Sequence, residues 1–238
     1  MVSHNATSIA GIAVEYRLAS RMVVFSHGFG TQRGSRGMFT DIVAALPEGY
    51  GYVLFDYNDV YGTEVKLTDF TEQVRRLRSI IAWVQKQQNV TDVHILAHSM
   101  GCIVVALAKP DINGKVILLA SPTSIGARTR EYFTSKRGAK VDGDNWVVPR
   151  QDGTRTIIPL SFFDEFESVN VKEALRSFEN ERAFTMVAAT DDEVLKDLDY
   201  SVLSGSVNVR FLSVDGADHN FSGASRQKLI SIVEHELE

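Results

Sequence analysis

Short, nearly continuous apolar runs alternate along the chain with segments whose apolar residues recur every three or four positions. The runs at 21–26 (RMVVFS), 51–56 (GYVLFD), 92–97 (DVHILA), 115–120 (KVILLA), 184–190 (FTMVAAT) and 208–214 (NVRFLSV) are rich in β-branched residues. Runs that lack a polar face are the pattern of strands covered on both sides. Helical spacing is clearest at Phe70, Val74, Leu77, Ile81 and Val84, with Asp69 and Glu72 three residues apart as an N-terminal capping pair. Segments 38–46, 99–108 and 226–237 read as further helices. Regular alternation of strand and helix implies right-handed crossovers, and hence an α/β fold with a mostly parallel central sheet and helices on both faces. One domain over 1–238 is the expectation at this length.

The alternation breaks between 124 and 180. This stretch is polar and turn-rich, then briefly β-like at 155–158. It reads as an inserted cap, since a loop of this length is usually functional. Its apolar members, Trp146, Ile157, Phe162, Phe163 and Phe166, could wall a pocket or anchor the cap to the domain.

Composition narrows the function classes. A formal net charge of -5 gives no reason to expect nucleic acid or an anionic membrane as partner, and leaves a small-molecule substrate as the natural one. Cys102 is the single cysteine, which excludes an intramolecular disulfide and any multi-cysteine metal site. No segment approaches the ~20 apolar residues that span a bilayer, and the N-terminus lacks a secretory pattern, so a soluble, cytoplasmic protein is expected. The sequons at Asn5 and Asn89 matter only for a secreted chain.

The candidate chemistry sits in ILAHSMGCIVVALA, 95–108. A strand ending at Ala97 and a helix starting near Met100 leave Ser99 in a sharp turn, its hydroxyl at the carboxyl end of the sheet. Ala97 and Gly101 are small, as close approach of strand and helix requires. An isolated serine here would be read as a helix cap. Downstream, however, AATDDEV and VDGADHNF place Asp191 or Asp192, and then His219, at the ends of successive strands. A serine hydroxyl needs a base to take its proton, and that base needs a carboxylate to hold its tautomer.

From about Arg21 onward, the strand order and these motifs resemble the α/β-hydrolase family, with A-x-S-x-G standing for its G-x-S-x-G nucleophile elbow and the order Ser, Asp, His. GADHNF looks closest to bacterial feruloyl and cinnamoyl esterases. The resemblance implies Ser99 as nucleophile, His219 as base and Asp192, counted three on from Ala189, as acid, with Asp191 the minority choice. It implies backbone N–H donors for an oxyanion hole at Phe29, after His27-Gly28, and at Met100. It implies no cofactor and no metal. Cys102 stands where the family often has glycine, and is expected to pack helix against sheet. His27 and His98 are expected to be structural. The R-G-x-G that often follows the second core strand is missing, FDYNDVYG taking its place.

Two other readings compete. Gly28, Gly30 and Gly34 with Asp56 superficially suggest a dinucleotide loop, but their G-x-G-x-x-x-G spacing is one residue too long. The fold could also serve a binding protein without turnover.

Overall fold

The computed structural model describes residues 5–125, 127–150, 152–195, 199–203 and 205–238. The chain opens with the hairpin β1 (Asn5–Ile9) and β2 (Ile12–Arg17), then β3 (Arg21–Ser26), α1 (Met38–Ala45) and β4 (Tyr50–Phe55). A small hairpin, β5 (Asp59–Tyr61) and β6 (Glu64–Lys66), precedes α2 (Phe70–Gln85), β7 (Asp92–His98), α3 (Met100–Ala108) and β8 (Val116–Leu119). There follow α4 (Ala127–Thr134), β9 (Lys140–Asp142), β10 (Asn145–Pro149), β11 (Arg155–Pro159), α5 (Leu160–Ser168) and α6 (Val171–Glu181). The last elements are β12 (Phe184–Ala189), β13 (Val209–Val214) and α7 (Ala224–Leu237).

The main sheet has the order β1-β2-β4-β3-β7-β8-β12-β13. Its parallel part, from β4 to β13, is built from the six apolar runs, and β2 and β1 extend it antiparallel. Continuous apolarity has a direct cause. In β3, Met22 and Val24 face a core shared with α2, α3 and α6, while Val23 and Phe25 face a second core shared with α1 and α7. Because side chains alternate between faces, a strand covered on both can spare no position for a polar residue. Asp69 caps α2, its carboxylate accepting the Glu72 N–H at 2.7 Å.

The expected insertion divides in two. Strands β9, β10 and β11 join β5 and β6 in a second sheet of order β5-β6-β11-β10-β9, so the cap also draws on the hairpin after β4. That hairpin escaped the sequence reading because DVY and EVK are too short and too charged to show a period. Helix α6, by contrast, belongs to the main body and not to the cap. Leu175 and Phe178 are buried in the core with α3, and Lys109, just past α3, donates to Ser177 at 2.6 Å. A crossover between the parallel strands β8 and β12 needs this helix.

The inserted segment packs on the domain through aromatic residues. Phe162 and Phe166 of α5 stack on Phe70 at the start of α2, with Phe70 and Phe166 inclined by 2°. All three are buried, as is Phe163. These aromatics are packed against the domain, while Trp146 and Ile157 stay half-buried.

Gly101 shows how little room the strand-to-helix junction leaves. A Cβ there would lie 2.3 Å from the Ser26 carbonyl oxygen and 2.6 Å from that of His27, both backbone atoms. We expect Gly101→Ala to destabilise the fold by about 2 kcal/mol or more, as overpacking does. Urea unfolding of the variant against the parent checks this, and an unchanged midpoint would contradict the contact.

Candidate active site

Strand β7 runs into α3 through a single residue, Ser99, whose backbone sits at φ 54, ψ -126. A side chain in this region costs of order 1–3 kcal/mol, which the surroundings must offset. Two hydrogen bonds and one close approach hold it. The Ser99 N–H donates to the Leu119 carbonyl of β8 at 2.9 Å, its carbonyl accepts the Cys102 N–H at 2.9 Å, and Gly101 lets α3 close on the end of β3.

The loop after β12 brings Asp192 to the same end of the sheet, and the loop after β13 brings His219. Asp192 Oδ2 lies 2.7 Å from His219 Nδ1, and His219 Nε2 lies 3.0 Å from Ser99 Oγ. All three residues are buried. Burial alone would raise the Asp192 pKa, but hydrogen bonding and charge attraction from His219, with the Leu195 and Val194 N–H groups at 2.7 and 2.9 Å, bring it below the usual value. The ionised carboxylate can only accept, so Nδ1–H donates to it. With Nδ1–H so engaged, an imidazole carrying one proton presents Nε2 as an acceptor to the serine hydroxyl. The doubled acid resolves geometrically: Asp191 is exposed and its N–H bonds the Ala217 carbonyl, while Asp192 alone of the two meets the imidazole.

Three residues hold His219 and the loop just after it, in a role not apparent in the sequence, although His98 was expected to be structural. Glu193 accepts the His219 N–H at 3.0 Å. Arg226 of α7 donates to the Phe221 and Asn220 carbonyls at 3.0 and 2.9 Å and pairs with Asp41 of α1 at 2.5 Å, tying the loop to two helices. His98 is the third. Its buried ring lies 4.9 Å from that of His219 and its Nε2 is 2.9 Å from the His219 carbonyl, to which it must donate. No spacing in the sequence links positions 98, 193 and 226 to 219.

The other flagged residues have structural partners. His27 Nε2 accepts the Tyr57 N–H at 2.9 Å, leaving Nδ1–H for the Gly28 carbonyl at 2.9 Å. Cys102 is buried between α3 and the sheet, 3.5 Å from the Leu119 carbonyl, and burial pushes its thiol pKa far up. Asp56, the residue of the dinucleotide reading, is engaged by the Arg33 N–H at 2.7 Å and its guanidinium at 3.2 Å. The Gly28 position runs close to the candidate serine, since a Cβ there would lie 3.1 Å from Ser99 Cβ. The next residue, Phe29, is fixed from above, its ring stacked 3.9 Å from Phe133 of α4 and packed against Phe162 and Phe166. Met100 is the first residue of α3, where backbone N–H groups have no intrahelical partner. Among the described residues no helix is long and apolar enough to cross a membrane.

Residues 23–226 match the model of the alpha/beta hydrolase family. No curated protein sequence matches the chain. Among solved structures, the esterase domain of a Rhodothermus marinus protein is similar at 18% identity, covering 98% of this chain and 96% of that one, with a TM-score of 0.69. Est1E from Butyrivibrio proteoclasticus is similar at 17% identity, 98% and 96% coverage and a TM-score of 0.71, and it has also been solved with ferulic acid bound. The alpha/beta hydrolase GrgF from Penicillium sp. sh18 is similar at 14% identity, 99% and 97% coverage and a TM-score of 0.72.

The buried imidazoles carry a consequence for acid stability. Burial above all, and then the charge on His219, takes the His98 pKa from 6.5 down to about 3, and burial lowers those of His27 and His94 as well. Below pH 6.5 the unfolded chain protonates His98 while the folded chain does not, so stability falls as pH drops from 6.5 to about 3. One such proton corresponds to about 1.4 kcal/mol per pH unit. We expect His98→Gln to flatten the pH dependence of urea unfolding between pH 6 and 4 by about that slope. An unaltered slope would mean that His98 is not the group that resists protonation.

Proposed function

The chain belongs to the alpha/beta hydrolase family, and from that premise we propose that it is a serine hydrolase of carboxylic esters, acting through an acyl-enzyme on Ser99. The observation that carries the reading is the unbroken hydrogen-bonded series Ser99–His219–Asp192, at 3.0 and 2.7 Å, at the strained turn ending β7. The polarity of that series makes Ser99 the proton donor and His219 the acceptor, as nucleophilic attack requires.

In this mechanism Ser99 Oγ attacks the ester carbonyl as its proton passes to His219 Nε2, and the ionised Asp192 stabilises the imidazolium that forms. The negative oxygen of the tetrahedral intermediate is held by the N–H groups of Phe29 and Met100, whose positions beside Ser99 and at the start of α3 support that role. His219 then gives its proton to the leaving alcohol. In the second half it takes a proton from water, whose oxygen attacks the acyl carbonyl, and then returns that proton to Ser99 Oγ as the acid is released. Small acyl and aryl-acyl esters are the proposed substrates, supported by the esterase neighbours and the ferulic acid bound to one of them.

A panel of p-nitrophenyl esters of graded chain length, with methyl ferulate and methyl cinnamate, tests the activity. A fluorophosphonate probe tests whether Ser99 is activated, which separates a hydrolase from a binding protein on the same fold. We expect Ser99→Ala to lower kcat/KM on the best ester by on the order of 10⁴-fold and to abolish labelling. Activity retained within tenfold would refute the assignment. Removing the acid should tell the same story from the other side: Asp192→Asn impairs turnover far more than Asp191→Asn, because only Asp192 meets the imidazole. The reverse order would transfer the role to Asp191.

A further inference from the structure

Arg150 stands in the turn between β10 and β11, where the cap descends on the loop after β3. Its Nε donates to Thr156 Oγ1 at 2.7 Å, while Nη2 is buried with no hydrogen-bond partner. That nitrogen presses against Gly30, the residue after Phe29: a Cβ at Gly30 would lie 2.4 Å from Nη2 and 2.9 Å from Thr156 Cγ2. Phe133, which stacks on Phe29, lies under the same guanidinium at 5.8 Å. The free N–H groups thus sit on the loop that carries the proposed oxyanion donor.

A buried guanidinium without a counter-ion is costly, and proteins seldom keep one without use for it. Asp152 is the carboxylate whose charge acts on Arg150, but its Oδ1 accepts from the Thr154 N–H and Oγ1, within its own turn. A second cation adds to the first. Arg36, exposed on the loop after β3 at a left-handed φ of 54°, makes no ion pair among the described residues. Its charge acts on both Arg150 and His98. Burial above all, and then the charge of Arg36, pulls the Arg150 pKa down to about 10 against the opposing influence of Asp152.

We infer that the ester hydrolysed at Ser99 carries a free carboxylate, which docks on Arg150 beside Gly30 with Arg36 strengthening the attraction. The inference rests on the proposed function and names its substrate class. A guanidinium matches a carboxylate in shape and charge, and the pair gains most where water is excluded. The carboxylate can belong to the acyl part, as in a monoester of a dicarboxylic acid, or to the alcohol, as in an acylated hydroxybenzoate.

Two pairs of esters distinguish these sources: 4-nitrophenyl hydrogen glutarate against its methyl ester, and 3-acetoxybenzoate against methyl 3-acetoxybenzoate. At least one pair should show a preference in kcat/KM for the charged member of about tenfold or more, the scale of one charge-assisted hydrogen bond. Arg150→Met should bring that ratio close to one, Arg150→Lys should restore part of it, and Arg36→Gln should reduce it severalfold. Ratios near one in both pairs, or a ratio indifferent to Arg150→Met, overturn the inference. Should Arg150→Met fail to fold, the exposed Arg36 carries the comparison, and a ratio unchanged in Arg36→Gln overturns it equally. Glutarate against glutaramide in thermal unfolding gives a readout independent of turnover. Stabilisation by glutarate that Arg150→Met or Arg36→Gln weakens supports the docking site even if no ester is cleaved, which would refute only the hydrolase reading. Equal effects of the two compounds overturn the site.

Discussion

The contact between the end of β3 and the first turn of α3 governs the candidate site. The carbonyls of Ser26 and His27 leave no room for a side chain at Gly101, and Ser26 Oγ donates to the Gly101 carbonyl at 2.9 Å while lying 2.8 Å from the Tyr57 hydroxyl. With the helix drawn this close, the one residue left to turn from β7 into α3 must adopt a backbone that an L-residue avoids. The same closeness sets Gly28 against Ser99. The candidate serine and the loop that carries the proposed oxyanion donor are therefore positioned by a single packing constraint deep in the domain.

Around that fixed point the parallel sheet does the gathering. Ser99, Asp192 and His219 follow β7, β12 and β13, whose carboxyl ends lie on one edge of the sheet because parallel strands all run the same way. Loops by themselves would hold the imidazole poorly. Bonds from Glu193 and His98 to the backbone of His219, and from Arg226 to the carbonyls just after it, bring the loop under the control of β7, α7 and the β12 loop. His98 donates to that carbonyl while staying neutral inside the protein, at the cost of acid stability.

The inserted segment adds a layer that is chemically different. Its buried aromatics grip α2 and the ring of Phe29, so the loop after β3 is packed against this layer. The polar contribution of the cap arrives through Arg150, whose unpaired nitrogen meets the same loop one residue further on. The aromatic and the charged contacts from this layer thus fall on neighbouring residues, Phe29 and Gly30.

Much of this was legible in one dimension. Burial on both faces makes a strand continuously apolar, and the six parallel strands of the sheet stood out for that reason. A junction with no spare volume demands small residues, so Ala97 and Gly101 marked Ser99. Capping chemistry is local, and Asp69 announced α2. The rest depends on groups distant in sequence, for which a single chain carries no signal. The hairpin β5–β6 is a strand pair only because β11 lies beside it. The choice between Asp191 and Asp192 turns on which carboxylate the loop aims at an imidazole 27 positions away. Arg150 reads as an ordinary surface arginine until the fold buries its guanidinium against Gly30, 120 residues earlier, and leaves one nitrogen without a partner. Periodicity and local sterics are properties of neighbouring residues and are written in their order. Burial, pairing and its absence belong to the folded solid, and only tertiary structure decides them.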